Sequence, residues 1–518
     1  MKRILLALLV LLLAAVAPAQ ARDKVILIKG GLVYDGTGAE PRKADILVKG
    51  GKIAAIEADI PESKADNVID AKGEVVAPGF IDPHSHINRN MKKPETKENE
   101  GYLTMGVTTV LCGMCGGSPV PISEEVELLE SQGFGTNIGY FIGLGSVRKK
   151  VMGNDNRKPT AEEMARMKEY VREAMRDGAF GVTTGLIYTP GCFADTEEII
   201  EITREIAPFK GIYSTHMRNE GTKILTAIDE AARICKETGV DLNISHLKCG
   251  GKSKGNAAGV VAKINELQAS GLHVTADQYP YTASSTSLSA TVLPKWAVAA
   301  GAKRFRKMIR NADTLDILRK AVAKNVKGEA ASNIIISPLC KDDEIKGRSL
   351  AELAEAWNVT PEDAAIECLR RSWPSAVKHS FREEDLRYFM KQPFVMTCTD
   401  GSIGGHPRAY GSFTRKLKTY VREEKVITMG EMIRRSTGLV ADTYGIAKRG
   451  YLRKGYWADI IVFDPETVTD NATYEEPQKL STGFTMVMVN GQIAVSNDIP
   501  NGTLSGKVIK MDNSAKVR

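Results

Sequence analysis

Eight apolar runs of strand length alternate with amphipathic helical stretches through the middle of this 518-residue chain. The runs read GFIDPHSH, TTVLCG, NIGYFIGLG, AFGVTTGL, GIYSTH, DLNISH, HVTADQY and FVMTCTD, and helical patterns such as those over 161–177, 196–207 and 224–238 separate most of them. Strands that alternate with helices predict a parallel sheet, because each helix returns the chain to the same edge. Eight such units predict an α/β fold, a TIM (β/α)8 barrel.

The two ends of the chain show short β-rich runs separated by turns. KVILIKGGLVYDG and ADILVKGGKIAAIEA stand near the start, and ADIIVFDPETV and FTMVMVNGQIAVSN repeat the pattern near the end. We expect both ends to form one small β-sandwich domain, residues 22–77 and 446–518, beside a barrel that spans 78–445. The stretch 282–392 is far longer than one crossover needs, so it predicts a partly helical subdomain inserted before the last barrel strand.

The first 21 residues, MKRILLALLVLLLAAVAPAQA, combine two basic residues, an apolar run over 4–16 and a small-residue site at 19–21. This pattern is typical of a secretory signal peptide, so we expect cleavage after Ala21, a periplasmic or secreted protein, and no membrane association after cleavage. The net charge of +7 is spread along the chain. It predicts no nucleic-acid partner and is compatible with a small anionic substrate.

Polar side chains that commonly bind metals follow several of the predicted strands. Four of the seven histidines, His84, His86, His216 and His246, stand at strand ends, and so does Asp400. The C-terminal ends of the strands form the active-site face of a TIM barrel, so these five side chains should converge there. Nitrogen and oxygen ligands with one position left open for water are what a catalytic zinc needs. The pattern therefore predicts a zinc-dependent enzyme.

The motifs APGFIDPHSH, GVTTVLCGMCGGS, GAFGVTTGLIYTPG, YSTHMRNEG, ISHLK, DQYPYTASST, TDG, HPRAYGSFTRKL and GYWADIIVFDPETVTD follow one another along the chain. In this order they resemble the amidohydrolase superfamily and, within it, the N-acyl-D-amino-acid deacylase (D-aminoacylase) family, over about residues 25–495. The resemblance implies a TIM barrel with a small β domain built from both termini. It also implies zinc-dependent hydrolysis of the linear amide bond of N-acyl-D-amino acids to a carboxylate and a free D-amino acid.

The resemblance implies one tightly bound zinc, held by Cys115, His216 and His246. Many binuclear relatives in the superfamily bridge two metals with a carboxylated lysine at the end of strand 4, but that stretch here reads FGVTTGLIY. The missing lysine suggests that Cys115 supplies the anionic ligand instead, because zinc binding keeps a thiolate deprotonated near neutral pH.

Further roles follow from the same resemblance. His84 and His86 are candidate ligands of a second, weaker metal, beside Asp400. Asp400 is implied as the general acid/base that takes a proton from the attacking water and returns it to the departing amine. Tyr279 is expected to contact the substrate and, with the metal, to stabilise the oxyanion.

Arg408 and Lys248 match the contacts that the family makes with the substrate's free carboxylate; ordinary surface charge is the alternative interpretation of both. Arg218 and Glu220 are interpreted as residues that orient His216, with a structural salt bridge as an equal alternative. His406 is expected to orient the loop that carries Arg408.

Three other functions remain open on the sequence alone. GKSKG matches the nucleophile elbow G-x-S-x-G and would make the protein a serine hydrolase that uses Ser253, with Asp400 and His406 as partners. That reading leaves three of the strand-end histidines without a role. A dipeptidase or cyclic-amide hydrolase of the same superfamily would share the metal but not the carboxylate pocket. A zinc-binding protein without catalysis would not need Asp400.

Two of the eight cysteines, Cys112 and Cys115, form a C-x-x-C pair. A disulfide, a redox couple and half of a zinc ribbon all use this spacing, but a ribbon needs a second such pair. In the predicted barrel, Cys112 lies within strand 2 on the side of Val110 and belongs to the core, whereas Cys115 lies past the strand end. We therefore expect both thiols to be unpaired in the metal-loaded protein.

Overall fold

The computed structural model describes residues 24–512 and 514. The predicted signal peptide, residues 1–21, lies outside the described residues. Within the described part, no helix combines the length and apolar character needed to span a membrane.

The strands of the described chain are numbered in chain order. They are β1 (Ile26–Val33), β2 (Arg42–Lys49), β3 (Lys52–Glu57), β4 (Asn67–Asp70), β5 (Val75–Pro78), β6 (Phe80–Asp82), β7 (Val107–Cys112), β8 (Asn137–Tyr140), β9 (Ile142–Gly143), β10 (Gly181–Gly185), β11 (Ile212–His216), β12 (Asp241–Ile244), β13 (Val274–Gln278), β14 (Ala283–Ser287), β15 (Ile334–Ile336), β16 (Ser375–His379), β17 (Val395–Thr397), β18 (Ile460–Phe463), β19 (Phe484–Val489), β20 (Gln492–Ser496) and β21 (Ile499–Pro500).

The helices lie mostly between the strands of the barrel and within the insertion. The α-helices are Asn88–Met91, Glu100–Leu103, Ser123–Gln132, Leu144–Met152, Ala161–Asp177, Thr196–Arg204, Ile224–Thr238, Ala257–Ala269, Leu288–Val292, Lys295–Met308, Ala312–Ala323, Leu350–Trp357, Pro361–Arg371, Glu383–Met390, Arg408–Arg415, Met429–Ser436 and Gly438–Tyr444, and Lys416–Glu423 is a π-helix. Short 3-10 turns occur at Glu62–Lys64, Gly191–Phe193, Ala207–Phe209, Gly251–Ser253 and Gly328–Ala330.

The β domain is one nine-stranded sheet built from both ends of the described chain. Its order is β21-β20-β19-β18-β5-β1-β2-β3, with β4 paired to β1. The alternation of side chains along β18 shows how it is held: Ile460 and Val462 pack in the domain's own apolar cluster, while Ile461 and Phe463 pack in the barrel core. Because successive strand residues point to opposite faces, one strand ties the two cores together.

The barrel consists of eight parallel strands in sequence order, so the predicted fold class is confirmed. Hydrogen-bonded strands run β6-β7-β8 and β9-β10-β11-β12-β13-β17, and β8 and β9 are one barrel strand interrupted at Phe141. The ring closes beyond β6 and β17, where the Asp400 amide donates to the His84 carbonyl at 2.8 Å and the His86 amide donates to the Gly401 carbonyl at 2.7 Å.

Buried polar groups support this closure directly behind the strand ends. The Thr399 hydroxyl donates to the Asp82 carboxylate at 2.5 Å, and the Thr399 and His84 amides donate to the other carboxylate oxygen at 3.1 Å. The Tyr102 hydroxyl lies 2.8 Å from the Ser85 hydroxyl and 3.0 Å from that of Thr399. Because these groups are buried, their mutual hydrogen bonds fix the spacing of the first and last strands.

The chain between β13 and β17 forms the inserted subdomain. Strands β14, β16 and β15 make a small antiparallel sheet, and its helices pack around a separate apolar cluster. The insertion is shorter than the predicted 282–392, because helix Glu383–Met390 places Leu386 and Phe389 in the barrel core. That helix packs against Ala257–Ala269 as a barrel helix. An amphipathic pattern alone does not say which of two cores a helix covers.

Candidate metal centre

Five barrel strands deliver their polar residues to one end of the barrel. His216 is the last residue of β11, while His84, His246 and Asp400 follow β6, β12 and β17 by two or three residues. Cys115 follows β7 by three residues. The convergence predicted from the sequence is therefore present at the C-terminal ends of the strands, where the loops of a TIM barrel carry function.

The ligand atoms fall into two groups that share one thiol. Cys115, His216 and His246 form one group, and His84, His86, Cys115 and Asp400 form the other; within each group the ligand atoms lie within 4.8 Å of one another. From the Cys115 Sγ, the distance is 3.3 Å to His84 Nε2, 3.4 Å to His246 Nε2 and 3.7 Å to His216 Nδ1. Cys115 therefore belongs to both groups.

Three of these residues have a left-handed backbone. The φ angles of Cys115, His246 and Asp400 are 51°, 37° and 48°. A side chain rarely adopts this region because its Cβ crowds the backbone, and such residues persist where the surrounding structure holds them. Beside Cys115, Gly113 has a φ of 84°, and a Cβ there would lie 2.0 Å from the Phe141 carbonyl oxygen. The turn that presents the thiol therefore requires glycine.

Neighbouring histidines lower the pKa of the Cys115 thiol. Burial by itself would raise the pKa of this thiol, but His84 and His246 hold the pKa well below its ordinary value. Cys112 shows the opposite behaviour: it is fully buried in the core, and burial raises the pKa of its thiol. Both thiols are unpaired. The two cysteines therefore differ in their surroundings: Cys112 lies in the core, and Cys115 lies among the strand-end histidines.

Glu220 supports both histidines of the first group. Its carboxylate lies 3.4 Å from His216 Nε2 and 3.2 Å from His246 Nδ1, and Lys248 Nζ donates to it at 2.6 Å. Burial would lower the pKa of His216, but Glu220 raises it to about 9. A carboxylate on the second ring nitrogen orients the ring and leaves the first nitrogen facing the metal position.

Asp277 plays a similar part and was missed by the sequence reasoning. Its carboxylate lies 3.1 Å from His84 Nδ1 and accepts hydrogen bonds from the His246 amide and the Asn243 side chain, each at 2.7 Å. The sequence signal that could have found Asp277 is a carboxylate within the apolar strand HVTADQY. A buried carboxylate needs several hydrogen-bond donors around it, and such donors occur at a functional site. It anchors one histidine from each of the two groups.

The Asp400 carboxylate lies between the second group and an arginine. One oxygen is 3.2 Å from His86 Nε2 and 3.4 Å from His84 Nε2, and the other accepts from Arg408 at 2.6 Å. Burial would raise the pKa of Asp400, but Arg408 and His246 hold it well below its ordinary value.

His406 holds the segment that follows Asp400. It accepts a hydrogen bond from the Arg408 amide at 3.1 Å and donates one to the Ala283 carbonyl at 3.0 Å. It thus joins the segment that carries Arg408 to β14.

A cavity of about 970 Å³ opens beside these groups. His86, Cys115, Asp400 and Arg408 line it, and so does Tyr188, whose ring packs edge-on against His216 with centroids 5.2 Å apart. Tyr188 stands in the strand-4 motif but was given no role from the sequence. Its position shows that the site has a phenol on the side of the first metal group.

Two residues expected at the substrate lie outside the wall of this cavity. Neither Lys248 nor Tyr279 is among the described residues that line the cavity. Lys248 Nζ donates to Glu220 at 2.6 Å and lies 2.7 Å from His246 Nδ1, so it holds the carboxylate that supports the histidine rather than facing the cavity. The Tyr279 hydroxyl is buried without a hydrogen-bond partner in the described chain, and the Arg408 guanidinium lies 5.1 Å from the centre of its ring.

Arg218 does not orient His216. It forms an ion pair with Glu230 at 2.9 Å and donates to the carbonyl oxygens of Cys192 and Ala194. The salt-bridge alternative is therefore correct for Arg218, and the orienting role falls to Glu220 alone.

Ser253 has the environment of a structural serine. It stands in the 3-10 turn Gly251–Ser253, and its hydroxyl donates to the Gly250 carbonyl at 2.8 Å and to the Glu220 carbonyl at 3.2 Å. His406 is engaged with the backbone of Arg408 and Ala283 instead. A nucleophilic serine needs a base within hydrogen-bond reach, and this one donates to backbone carbonyls.

The donor set fits zinc. A thiolate with imidazole nitrogens around one point is a typical zinc environment, and the second nitrogen of each imidazole in the first group faces a carboxylate. The sharing of Cys115 by both groups also suits a pair of metals.

Comparison with known proteins supports the same chemistry. Residues 374–495 match the model of the amidohydrolase family. The N-acyl-D-glutamate deacylase of Alcaligenes xylosoxydans xylosoxydans is 32% identical over 516 residues, which cover 94% of this chain and 97% of that protein. A solved structure of D-aminoacylase, described for its binuclear metal center with one-metal activation and second-metal attenuation, matches with a TM-score of 0.80 and 32% identity over 94% of this chain and 99% of its own. The N-acyl-D-glutamate deacylase of Bordetella bronchiseptica, solved with zinc and a phosphonate inhibitor that mimics the tetrahedral intermediate, matches with a TM-score of 0.80 and 30% identity over 94% of this chain and 100% of its own.

Proposed function

Because this chain belongs to the D-aminoacylase family of amidohydrolases, we propose that it is a zinc-dependent enzyme that hydrolyses N-acyl-D-amino acids to a carboxylate and a free D-amino acid. The observation that carries the proposal is the shared Cys115 thiolate between two ligand groups, with the Asp400 carboxylate on the cavity wall beside it. A site built only to hold a metal has no need of an open cavity or of an ionised acid facing it.

The residues divide into two metal positions. Cys115, His216 and His246 would hold the tightly bound zinc, and His84 and His86, with the shared thiolate and Asp400, would hold a second, weaker metal. Zinc supplies Lewis acidity that polarises the acyl carbonyl and makes water nucleophilic at neutral pH.

Asp400 is the general acid/base of the proposed reaction. Its ionised carboxylate accepts a proton from the attacking water as the carbon–oxygen bond forms, and it donates that proton to the amide nitrogen as the carbon–nitrogen bond breaks. Arg408, 2.6 Å from the second oxygen, keeps the carboxylate ionised and oriented between transfers. The second proton of the water leaves the new carboxyl group and is taken up by the amine, so the products are a carboxylate and an ammonium group.

Arg408 and Tyr279 are the proposed contacts of the substrate on the amino-acid side. Arg408 lines the cavity and is buried, so a substrate carboxylate that reaches it meets a desolvated guanidinium. Tyr279 packs against Arg408 outside the cavity wall, and its buried hydroxyl has no partner in the described chain, which makes it the second proposed contact. Lys248 is assigned to the support of His246 through Glu220.

The proposal is tested with paired N-acetyl-D- and N-acetyl-L-amino acids on zinc-reconstituted protein, with a dipeptide and a hydantoin in the same screen. We expect hydrolysis of the D compounds well above that of their L partners. Equal rates for the two enantiomers would overturn the stereochemical part, and turnover of the dipeptide or hydantoin alone would favour the other members of the superfamily.

We also propose a periplasmic or secreted location, on the sequence of residues 1–21. Expression of the full chain, cell fractionation and N-terminal sequencing should find mature protein that starts at Arg22 outside the cytoplasm. An uncleaved N terminus in the cytoplasmic fraction would contradict it.

A further inference from the structure

The cavity beside the metal groups has more positive charge than one substrate carboxylate requires. Its described lining contains five basic and two acidic residues: Arg89, Lys92, Lys93, Lys149, Arg408, Glu125 and Asp400. Lys92 pairs with Glu125 at 2.6 Å, so these two charges neutralise each other. Arg408 pairs with Asp400 at 2.6 Å. Three basic residues of the wall therefore remain for a ligand.

The three remaining cations are exposed, and within the described part of the chain they have no carboxylate at ion-pairing distance. Two of them, Arg89 and Lys93, lie on one short segment that follows the first barrel strand, β6. Lys149 belongs to helix Leu144–Met152, which follows the third barrel strand. The first-strand segment and this helix therefore present their charges from different parts of the barrel.

A buried carboxylate fixes how the first-strand segment lies. Glu125 accepts hydrogen bonds from the Asn88 side chain at 2.7 Å and from Lys92 at 2.6 Å. Asn88 and Lys92 stand four residues apart, so they share one face of this helical turn. Arg89 and Lys93 have the same spacing and share the neighbouring face, where both line the cavity. Like charges at this spacing repel each other, and an anion held between them offsets that repulsion.

Arg89 and Lys93 lie on the Arg408 side of the cavity. The first and eighth strands are neighbours in the closed barrel, and Arg408 follows the eighth. A direct contact joins the two segments, since the Asn90 side-chain oxygen accepts a hydrogen bond from the Ile403 amide at 3.4 Å. Ile403 also lines the cavity and stands shortly before Arg408 in the chain. The wall is therefore continuous from the first-strand segment to Arg408.

We propose that Arg89 and Lys93 bind a second carboxylate on the amino-acid half of the substrate, and that they thereby select N-acyl derivatives of dicarboxylic D-amino acids. The inference rests on the proposed function, which places the α-carboxylate at Arg408. In derivatives of D-aspartate and D-glutamate, the second carboxylate is one or two methylene groups from the same α-carbon, so it stays on the Arg408 side. The acyl group extends from the other end of the amide bond. A side-chain carboxylate therefore meets complementary charge, whereas a neutral side chain leaves both cations to water.

The experiment compares N-acetyl-D-glutamate with its uncharged isostere N-acetyl-D-glutamine on the full, zinc-loaded protein. We expect kcat/KM to favour the glutamate compound by about tenfold at low salt. The preference should decrease at high ionic strength, because both cations are exposed and salt screens them. N-succinyl-D-alanine and N-succinamoyl-D-alanine form a second pair that carries the same difference in charge on the acyl group. Their kcat/KM values should be similar.

The variants place the preference on named residues. Arg89→Gln combined with Lys93→Gln should bring the ratio of kcat/KM for the glutamate and glutamine compounds close to one. Arg89→Lys combined with Lys93→Arg retains both charges and should retain the preference. Lys149→Gln is the matched control, because Lys149 is an exposed lysine of the same cavity wall but follows the third strand. It should keep most of the preference, and circular dichroism should show all variants folded.

The outcomes separate the two proposals. Hydrolysis with equal kcat/KM for the glutamate and glutamine compounds would refute this inference and leave the proposed function standing. A preference that survives the double glutamine variant, or that Lys149→Gln removes equally well, would overturn the assignment to Arg89 and Lys93. A preference confined to the succinyl and succinamoyl pair would place the second charge on the acyl group instead. Failure to hydrolyse any N-acyl-D-amino acid in the set would refute the proposed function and this inference with it.

Discussion

Replacement of Glu220 by glutamine should weaken zinc binding, although Glu220 does not belong to either ligand group. For His246 to bind a metal through Nε2, that nitrogen must be bare, so Nδ1 must carry the ring hydrogen and donate it to Glu220 at 3.2 Å. Lys248 Nζ lies 2.7 Å from the same Nδ1. Without the carboxylate, the lysine becomes the charged partner of Nδ1 and favours the tautomer that has a hydrogen on Nε2.

The magnitude follows from the number of ligands that Glu220 touches. Loss of one partner on the outer nitrogen of a metal-binding histidine costs about 10- to 100-fold in metal affinity. Glu220 contacts two of the three ligands of the first group, His216 and His246. Taking the low end for each, Glu220→Gln should lower zinc affinity about 100-fold, or about 2.7 kcal/mol.

The assay is competition for zinc against a chromophoric chelator, with kcat/KM measured at saturating zinc. Glu230→Gln is the matched control, because the side-chain exposure of Glu230 is 16% against 17% for Glu220 and it also holds a cation, Arg218. The control should lose stability and keep its zinc affinity. A zinc affinity of Glu220→Gln within about threefold of the unmodified protein, or equal losses in both variants, would refute the tautomer argument.

Three further predictions test separate parts of the molecule. Asp400→Asn should lower kcat by about 10²–10⁴-fold while zinc stays in the first ligand group, as checked by kinetics and metal analysis; undiminished hydrolysis would contradict the acid/base role. Ser253→Ala should keep kcat close to the original value and cost about 1 kcal/mol in urea unfolding, since it removes hydrogen bonds to backbone carbonyls; abolished activity would revive the serine mechanism. Burial lowers the pKa of Lys416 from 10.5 to about 7. Between these two pH values the unfolded chain binds more protons than the folded chain does, so the free energy of unfolding should rise with pH. Lys416→Met should flatten that rise when urea midpoints are compared at about pH 7 and pH 9.5, and an unchanged slope would contradict the assignment.

The sequence was most informative where local pattern and function coincide. The strand ends that carry His84, His216 and His246 are recognisable because apolar runs stop at a polar ligand. The same pattern predicted that Cys112 lies in the core and that Cys115 lies past the end of the strand. The alternation of side chains between the two faces of a strand continues only as far as the strand extends. For the β domain, alternating runs at both ends predicted strands, and the structure pairs β5 with β18 across nearly the whole chain.

The sequence was least informative about the partners of charged residues. Lys248 and Arg408 both match carboxylate contacts, yet one supports a histidine and the other lines the cavity beside Asp400. Arg218 and Glu220 stand two residues apart in one motif, and they take unrelated partners. Side-chain charge is visible in a sequence, but the residue that lies within 3 Å of it depends on how distant strands are packed.

The sequence by itself predicted the barrel, the β domain from both ends and the strand-end side chains that are candidates to bind a metal. Those follow from periodicity and from residue types that few other chemistries need. The tertiary structure decided the sharing of one thiol by two ligand groups and the support of two histidines by Glu220. These depend on left-handed turns at three site residues and on contacts between segments far apart in the chain, which are fixed only when the barrel closes.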